Sequence, residues 1–376
     1  MKIVIDARHF GPAATGIGRY TGHLLNELQR LDRKDEYVIL LQKDGFNSFT
    51  PTAPNFRKKL VDAPIYSLKE QLLVLKALWE EKPDLVHIPH FNVPVLYFGK
   101  FIVTIHDLIV SEFGGTGATT LPKPLYWLKR LGYNLALRKA IHASEKILVP
   151  SKYVKEKILQ YFDVPKEKIV VTYEAGELSL SPARTEEERR LENAVSRFKL
   201  SKPYFLYVGN VYPHKNVSRL IDAVGKVGAS LVIVSPRNVF LERLGREVIW
   251  KGLGKYVRIL GFLSDLDLID LYREAEALVF PSLSEGFGLP AVEAMSLGCP
   301  VVLAKATSLP EVAADAALYF DPLNPDDIAG KLKQVLGSET LRKKLVERGL
   351  KRAKKFSWES MAKETLATYQ EAASSQ

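Results

Sequence analysis

The chain has 376 residues, which is long enough for two domains of roughly 100 to 200 residues each. Apolar residues make up 47% and charged residues 26%, as in globular proteins, so the composition excludes a disordered or fibrous class. The net charge of +10 means that the excess cations are either solvated or matched by an anionic partner. Because neither zinc-finger spacing nor an aromatic RNA-binding signature accompanies it, we expect no nucleic-acid partner.

The first half of the chain alternates short β-branched runs with segments of helical period, which is typical of βα units around a parallel sheet. The predicted strands are Lys2 to Asp6, Tyr37 to Leu41, Leu85 to Ile88, Phe101 to His106, Ile147 to Pro150 and Ile169 to Thr172. Gly16 and Gly18 begin the first long helix, where the backbone can approach a ligand closely. A tight turn after the first strand explains these glycines equally well.

A polar stretch then separates a second alternating series, with strands at Tyr204 to Val208, Leu231 to Val234, Val257 to Leu260, Ala277 to Pro281 and Pro300 to Leu303. We therefore predict an N-terminal Rossmann-like domain at 1–178, a linker at 179–202 and a second Rossmann-like domain at 203–356. A last helix, 357–376, is expected to pack back on the first domain. Ligands of such sheets bind beyond the carboxyl ends of the strands.

Residues 280–295 combine a buried strand, a glycine-containing loop and a helix start with Pro290 near its first position. Unpaired N–H groups at such a start bind anions, and Gly288 lets the backbone approach. Glu285 and Glu293 suit this place if hydroxyl groups flank the anion, as in a nucleotide sugar. Alternatively, Glu293 only favours the positive end of the helix and Glu285 is solvated.

Four further residues have a structural and a functional interpretation. His106 ends an apolar strand at the rim where ligands bind, although histidines there often only satisfy the core. His87 and His90 point to opposite faces of a strand, so we expect no metal between them. The single cysteine, Cys299, is predicted to be a buried structural thiol.

The segment from Glu285 to Glu293, with seven residues between the glutamates, resembles the signature of retaining glycosyltransferases of family 4, which have the GT-B fold. That fold has two Rossmann-like domains facing a central cleft. The likeness continues in four other segments: Thr15 to Thr21, Ile105 to Leu108, Gly298 to Val302 and Ser308 to Val312.

The resemblance implies roles for residues of the second domain. Glu285 lies beside the donor sugar and acts in catalysis, and Glu293 binds the ribose. Lys215 is the lysine of a cationic pair on the diphosphate, whereas Asn210 stands where the family usually has arginine, a loss that His214 or Arg19 would compensate. Backbone contacts to the donor are expected from Phe262, Phe287, Gly288 and Leu289.

In the first domain, the resemblance implies that His106 contacts the donor sugar and is needed for transfer. The loop at Gly16 and Gly18 closes over the donor. Asp107 either orients its loop or acts on the acceptor, and Arg19 is a second candidate on the acceptor side.

Asp265-Leu-Asp267 resembles the metal-binding triplet of the other glycosyltransferase fold, but Ser264 three residues before Asp267 predicts a helix cap. We therefore expect no metal cofactor. Residues 124–139 are basic and aromatic, which favours either peripheral contact with an anionic membrane or a core helix with a solvated basic face.

These features predict a retaining hexosyltransferase that moves mannose from GDP-mannose to a glycan or lipid-linked acceptor in surface polysaccharide synthesis. A UDP-sugar donor is one alternative, and a sugar-nucleotide-binding protein without turnover is another. No apolar run approaches the ~20 residues of a membrane span. The expected location is the cytoplasm, either free or at the inner face of the membrane.

Overall fold

Parallel strands form one sheet in each of two units of the chain, Met1–Glu174 with Trp358–Gln376, and Ala175–Ser357. This is a computed structural model, and it describes residues 1–11, 16–113, 122–176, 178 and 193–374. The prediction of two Rossmann-like α/β units is confirmed.

Within the described residues, the first unit has a seven-stranded parallel sheet of order β3-β2-β1-β4-β5-β6-β7. Its strands are β1 Lys2–Asp6, β2 Glu36–Leu41, β3 Phe56–Leu60, β4 Leu85–Ile88, β5 Phe101–Thr104, β6 Lys146–Val149 and β7 Ile169–Val171. The chain order reverses between β1 and β4, and at such a reversal the carboxyl ends of the strands leave a crevice.

Helices of this unit lie between its strands along the chain, and several of them pack on the sheet. They are α1 Gly16–Leu31, α2 Lys43–Ser48, α3 Leu68–Glu81, α4 Ile109–Phe113, α5 Lys123–Ala143 and α6 Lys152–Tyr161, with a 3₁₀ turn at Lys166–Lys168. Val74, Leu137 and Ile158, from three of these helices, lie in one apolar cluster with side chains of the strands. The period-3.6 apolar stripes of the helices supply this cluster.

The second unit has, in its described part, a six-stranded parallel sheet of order β10-β9-β8-β11-β12-β13, which reverses between β8 and β11. Its strands are β8 Tyr204–Val208, β9 Ser230–Val234, β10 Val257–Leu260, β11 Ala277–Phe280, β12 Val301–Ala304 and β13 Ala317–Phe320. Its helices are α7 Ala194–Arg197, α8 Val217–Val227, α9 Val239–Trp250, α10 Asp265–Glu274, α11 Leu289–Ser296, α12 Leu309–Ala313, α13 Pro325–Gly337 and α14 Glu339–Ala353, with 3₁₀ turns at Pro213–Lys215 and Ala314–Ala316.

The sequence analysis missed the two edge strands β3 and β13. Phe56–Leu60 carries three consecutive cations, so it lacks the apolar run of a central strand. It pairs only with β2, and Arg57 and Lys59 form ion pairs with Glu81. The predicted strand from Phe101 to His106 was too long, because its ladder with β6 ends at Thr104 opposite Leu148.

The residues of the predicted linker fall in two parts. Residues 179–192 lie outside the described part of the chain. Residues 193–202 include helix α7, whose Ala194 N–H donates to Asp270 of α10 over 3.1 Å.

The cap prediction for α10 is confirmed, since the Ser264 hydroxyl accepts from the Asp267 N–H at 3.2 Å. Cys299 is buried as predicted, and burial raises the pKa of its thiol to about 12.

The last helix, α15 Trp358–Ser374, belongs to the first unit and packs on α1 and on β4, β5 and β6. Trp358 stacks on His23 with ring centroids 4.3 Å apart. The Tyr369 hydroxyl lies 2.7 Å from Nδ1 of His87, whose Nε2 lies 2.9 Å from the Thr104 hydroxyl. Burial lowers the pKa of His87 to about 3, so this imidazole is neutral near neutral pH. No described helix is long and apolar enough to span a bilayer.

We expect Tyr369→Phe to lower the free energy of unfolding of the first unit by about 1 to 3 kcal/mol, because it leaves a buried imidazole nitrogen without its partner. Urea unfolding of the full chain measures the change. Tyr161→Phe is the matched control, since the Tyr161 ring is half exposed on α6. Equal free energies for the two variants would show that the Tyr369 hydroxyl contributes nothing.

Candidate functional site

Two loops meet at the strand-order reversal of the second unit, one after β8 and one after β11. The first loop ends in the 3₁₀ turn Pro213–Lys215 and then Asn216, which has a left-handed φ of 58°. The buried Asn216 amide donates to the carbonyl oxygens of Pro281 and Pro322, at 3.0 and 2.7 Å. The Leu283 N–H donates to the His214 carbonyl over 2.8 Å. These bonds hold the two loops in register.

Lys215 and Glu285 form an ion pair between these loops, with Nζ 2.7 Å from Oε1. Neither side chain is well exposed, at 17% for Lys215 and 9% for Glu285. The Glu285 N–H donates to the Thr307 hydroxyl at 3.1 Å, and Ser308 donates to the Glu285 carbonyl at 3.0 Å. The backbone around Glu285 is therefore fixed, and the pair is the charged centre of this unit's crevice.

Helix α11 begins directly after this pair, as predicted. Its cap, Gly288, has φ 97°, a left-handed conformation that favours glycine, and a Cβ there would also displace the end of the Leu309 side chain, 2.7 Å away. Pro290 occupies the first turn, where its missing N–H costs nothing. Pro290 has no N–H and the Ala291 N–H donates to the Gly288 carbonyl at 2.9 Å, so Gly288 and Leu289 carry the N–H groups with which this helix start could bind an anion.

Glu293 lies on α11 and is buried. Its Oε2 accepts a hydrogen bond from the Tyr272 hydroxyl at 2.8 Å, a contact that orients the carboxylate. Tyr272 was not predicted as a site residue, because its apolar helical period identified it only as part of the core. The backbone of Gly176 lies against α11, where a Cβ would approach the Glu293 nitrogen to 2.4 Å.

The remaining predicted residues of this unit have different surroundings. Phe262 is exposed, whereas the Phe287 ring is buried edge-on against Phe356, and the Phe287 carbonyl accepts from the Ser308 hydroxyl at 3.1 Å. The Asn210 carbonyl accepts from the Tyr207 hydroxyl, and its side chain is half buried. Burial and then Lys215 lower the pKa of His214 to about 3. His214 is therefore neutral near neutral pH when no anion lies beside it, and its compensation for the arginine expected at position 210 stays a prediction.

In the first unit, His106 lies two residues beyond β5, against the ring of Tyr20. Its Nδ1 is 2.9 Å from Glu174 Oε1, and its Nε2 is 3.2 Å from the Pro89 carbonyl oxygen. Both nitrogens thus face acceptors, so the ring is suited to donating hydrogen bonds. Glu174 was not predicted, because nothing in the sequence links it to a histidine 68 residues earlier.

Two residues were predicted for the acceptor side: Asp107, which follows His106 in the sequence, and Arg19, which lies on α1. Asp107 Oδ1 accepts from the Ile109 N–H at 3.0 Å, which favours the loop-orienting role over a role in acceptor chemistry. Arg19 is half buried and, after burial itself, helps to lower the pKa of His23 to about 4. Gly16 is exposed and Gly18 is buried, while Thr15 of the same motif lies outside the described residues.

A second cluster at the carboxyl ends of β1 and β4 was missed. Arg8 binds Asp6 through two nitrogens, at 2.8 and 2.7 Å, and binds Glu70 at 2.7 Å. The rings of His9 and His90 lie 5.0 Å apart beside it. The run of polar residues that follows β1, Asp6-Ala-Arg8-His9, was the signal for this cluster, because polar residues directly after a central strand lie at the ligand edge.

Comparison with known proteins gives two family matches. The model described as Glycosyl transferases group 1 matches residues 188–352, and that of Glycosyltransferase Family 4 matches residues 14–175. An O-antigen chain mannosyltransferase B of Escherichia coli is 29% identical, over 98% of this chain and 99% of its own length. An uncharacterized glycosyltransferase of Methanocaldococcus jannaschii is 31% identical, over 81% and 80%. Sucrose-phosphate synthase of Thermosynechococcus elongatus has a similar structure, with a TM-score of 0.80, 18% identity and coverage of 99% and 98%.

Burial, more than its charged neighbours, lowers the pKa of His9 to about 4. An imidazole whose pKa falls on folding stabilises the native state above its unfolded pKa, and this stability is lost as the pH falls toward the folded pKa. Lowering the pH from about 7 to about 4.5 should therefore lower the free energy of unfolding of the first unit by about 2 kcal/mol through the protonation of His9. Urea unfolding at both pH values should show a smaller loss for His9→Gln than for the wild type. The same loss in both proteins would contradict the burial of a neutral His9.

Proposed function

Because the chain belongs to the glycosyltransferases of group 1 and family 4, we propose that it transfers mannose from GDP-mannose, with retention, to a glycan or lipid-linked acceptor in surface polysaccharide synthesis. The observation that carries the proposal is the Lys215–Glu285 pair beside the first turn of α11. The choice of mannose is supported by the relative named as an O-antigen chain mannosyltransferase.

The second unit provides the chemistry that a nucleotide-sugar donor requires. Lys215 neutralises one charge of the departing diphosphate, and the first-turn N–H groups of α11 donate to its oxygens. Glu285 accepts hydrogen bonds from hydroxyls of the donor sugar, and Glu293, oriented by Tyr272, accepts from the ribose. We assign the backbone contacts to the sugar and the diphosphate to Phe287, Gly288 and Leu289, as the family resemblance implies.

In the proposed step, the bond between the anomeric carbon and the β-phosphate oxygen breaks, and GDP leaves. The acceptor oxygen bonds to the same face of that carbon, and its proton passes to the departing phosphate. His106, whose Nδ1 is held by Glu174, exchanges the contact of its Nε2 with the Pro89 carbonyl for a hydroxyl of the donor sugar. We propose that no metal ion takes part; in the described residues, no group of His, Cys, Asp or Glu side chains has the arrangement of a metal site.

We expect Lys215→Met to lower kcat/KM for mannosyl transfer by about 10² to 10³, because a charge directed at the leaving group is lost. Transfer and donor hydrolysis are measured with GDP-mannose in the presence of EDTA. Lys226→Met is the matched control, since Lys226 is an exposed lysine of the same unit paired with Asp326.

Adding a stability measurement separates the competing assignments. GDP-mannose at 100 times its Kd should raise the free energy of unfolding of the wild type by about 2.7 kcal/mol. Stabilisation and turnover with UDP-glucose instead would leave the glycosyltransferase assignment and overturn the donor. Stabilisation without turnover would identify a nucleotide-sugar-binding protein, and a Lys215→Met rate within a few-fold of the wild type would remove Lys215 from the mechanism.

We also propose that α5 contacts an anionic membrane. In the described structure, its amino-terminal half is exposed on nearly every side. Large apolar side chains are exposed there at Leu125, Trp127, Leu128, Leu131 and Leu135. The helix contains five lysines and arginines and no acidic residue. Apolar and aromatic groups among unopposed cations suit the boundary between acyl chains and anionic headgroups.

The Trp127→Ser/Leu128→Ser variant should lose most of its binding to phosphatidylglycerol vesicles, measured by cosedimentation, while wild-type binding falls with added salt. The matched control is Trp250→Ser, which removes a tryptophan of the second unit that is 84% exposed, more than the 60% of Trp127. Equal binding by the two variants, or equal binding of the wild type to phosphatidylcholine vesicles, would contradict an anionic membrane contact through α5.

A further inference from the structure

Two buried nitrogens in the cluster after β1 and β4 have no hydrogen-bond partner in the described part of the chain. They are Nη1 of Arg8 and Nδ1 of His90. Arg8 is 3% exposed and His90 is 8% exposed. A buried polar group without a partner costs free energy, so native proteins seldom keep one unless a ligand or water completes it. These nitrogens therefore point to a ligand.

An exposed aromatic ring lies beside the His90 imidazole. Tyr66 is 56% exposed, its hydroxyl is 3.5 Å from His90 Nε2, and its ring is nearly parallel to that of Phe91. Its φ of 63° is a left-handed conformation that a bulky residue rarely adopts. An unfavourable backbone that presents an aromatic ring to solvent is typical of a binding position.

Buried groups hold Tyr66 in this conformation. The Tyr66 N–H donates to Glu70 Oε2 at 2.6 Å. Glu70 in turn accepts from Arg8 at 2.7 Å and from the Asn92 amide at 3.1 Å. The two groups with unpartnered nitrogens and the exposed ring thus belong to one connected network at the ligand edge of the sheet.

The charges of the network decide the kind of ligand. Arg8 is already paired with the two carboxylates of Asp6 and Glu70. Burial keeps the pKa of His90 well below its usual range, with smaller contributions from His9, His106 and Arg8. The cluster therefore has no excess of positive charge for a phosphate or carboxylate, whereas neutral imidazoles and a paired guanidinium suit hydroxyl groups.

We propose that Tyr66, His90 and Arg8 form a subsite for a neutral sugar ring of the acceptor. The C–H face of the sugar packs on the Tyr66 ring, and its hydroxyls bond to His90 Nδ1 and Arg8 Nη1. This subsite rests on the proposed function for its link to an acceptor. The contact between the His106 imidazole and the Pro89 carbonyl, next to His90, connects it to the predicted catalytic histidine.

The test measures the binding of methyl α-mannoside to the full chain by saturation-transfer NMR, with saturating GDP present. GDP fills the nucleotide part of the donor site but leaves the donor-sugar position open, so the dependence of glycoside binding on Tyr66 is what assigns it to the first unit. A single sugar should bind with a Kd of about 1 mM or weaker. Tyr66→Gly should raise this Kd about tenfold. Glycine adopts the left-handed conformation freely, so this variant removes the ring without straining the turn.

Tyr161→Ala is the matched control, a half-exposed tyrosine on α6 of the same unit, and should bind as the wild type does. His90→Phe keeps a ring against Phe91 but removes the nitrogens, and should also weaken binding. No binding to the wild type, undiminished binding to Tyr66→Gly, or tighter binding of mannose 6-phosphate would overturn the subsite. Thermal stabilisation by GDP in the same samples tests the proposed function separately, because it does not depend on Tyr66.

Discussion

The constraint on which the rest depends is that all described strand pairings are parallel, so each sheet presents all its carboxyl ends at one edge. Because the strand order reverses at β1 and β4 and again at β8 and β11, the loops after these strands diverge and leave room for side chains. Arg8 and His90 follow the first pair, and Lys215 and Glu285 follow the second. Residues 70 apart in the sequence can thus come within 2.7 Å.

The Lys215–Glu285 contact limits how an anion can bind. Both groups are largely withdrawn from water, and each is compensated by the other. A diphosphate that takes Lys215 must leave Glu285 with other donors, and a sugar with several hydroxyls supplies them. A bare phosphate does not. The pair therefore favours a ligand in which anionic and hydroxyl groups adjoin, which is the composition of a nucleotide sugar.

The sequence was sufficient for the parts of the site determined by local rules. Gly288 and Pro290 show a helix start, Ser264 shows a cap, and the β-branched runs show the central strands. Contacts between distant residues were not predictable, because the pairs Arg8–Glu70, His106–Glu174 and Tyr272–Glu293 depend on which loops become neighbours. The left-handed Tyr66 was also hidden, since its sequence context favours no such conformation. The edge strand β3 was not predicted for another reason. Its charged side chains form ion pairs at the surface, so its sequence has no apolar alternation.

The two proposed ligands differ in charge, and so do the groups proposed to bind them: Lys215 in the second unit, and the nearly neutral cluster around Arg8 and His90 in the first. The proposed donor has a diphosphate, and the lysine and helix start that suit it lie in the second unit. The proposed acceptor sugar is uncharged, and the first unit meets it with histidines whose pKa burial lowers and with an arginine already paired twice. A strongly cationic cluster there would compete for the diphosphate itself. The cations of α5 have no acidic residue on their own helix to neutralise them, which suits the proposed contact with an anionic membrane that carries a lipid-linked acceptor.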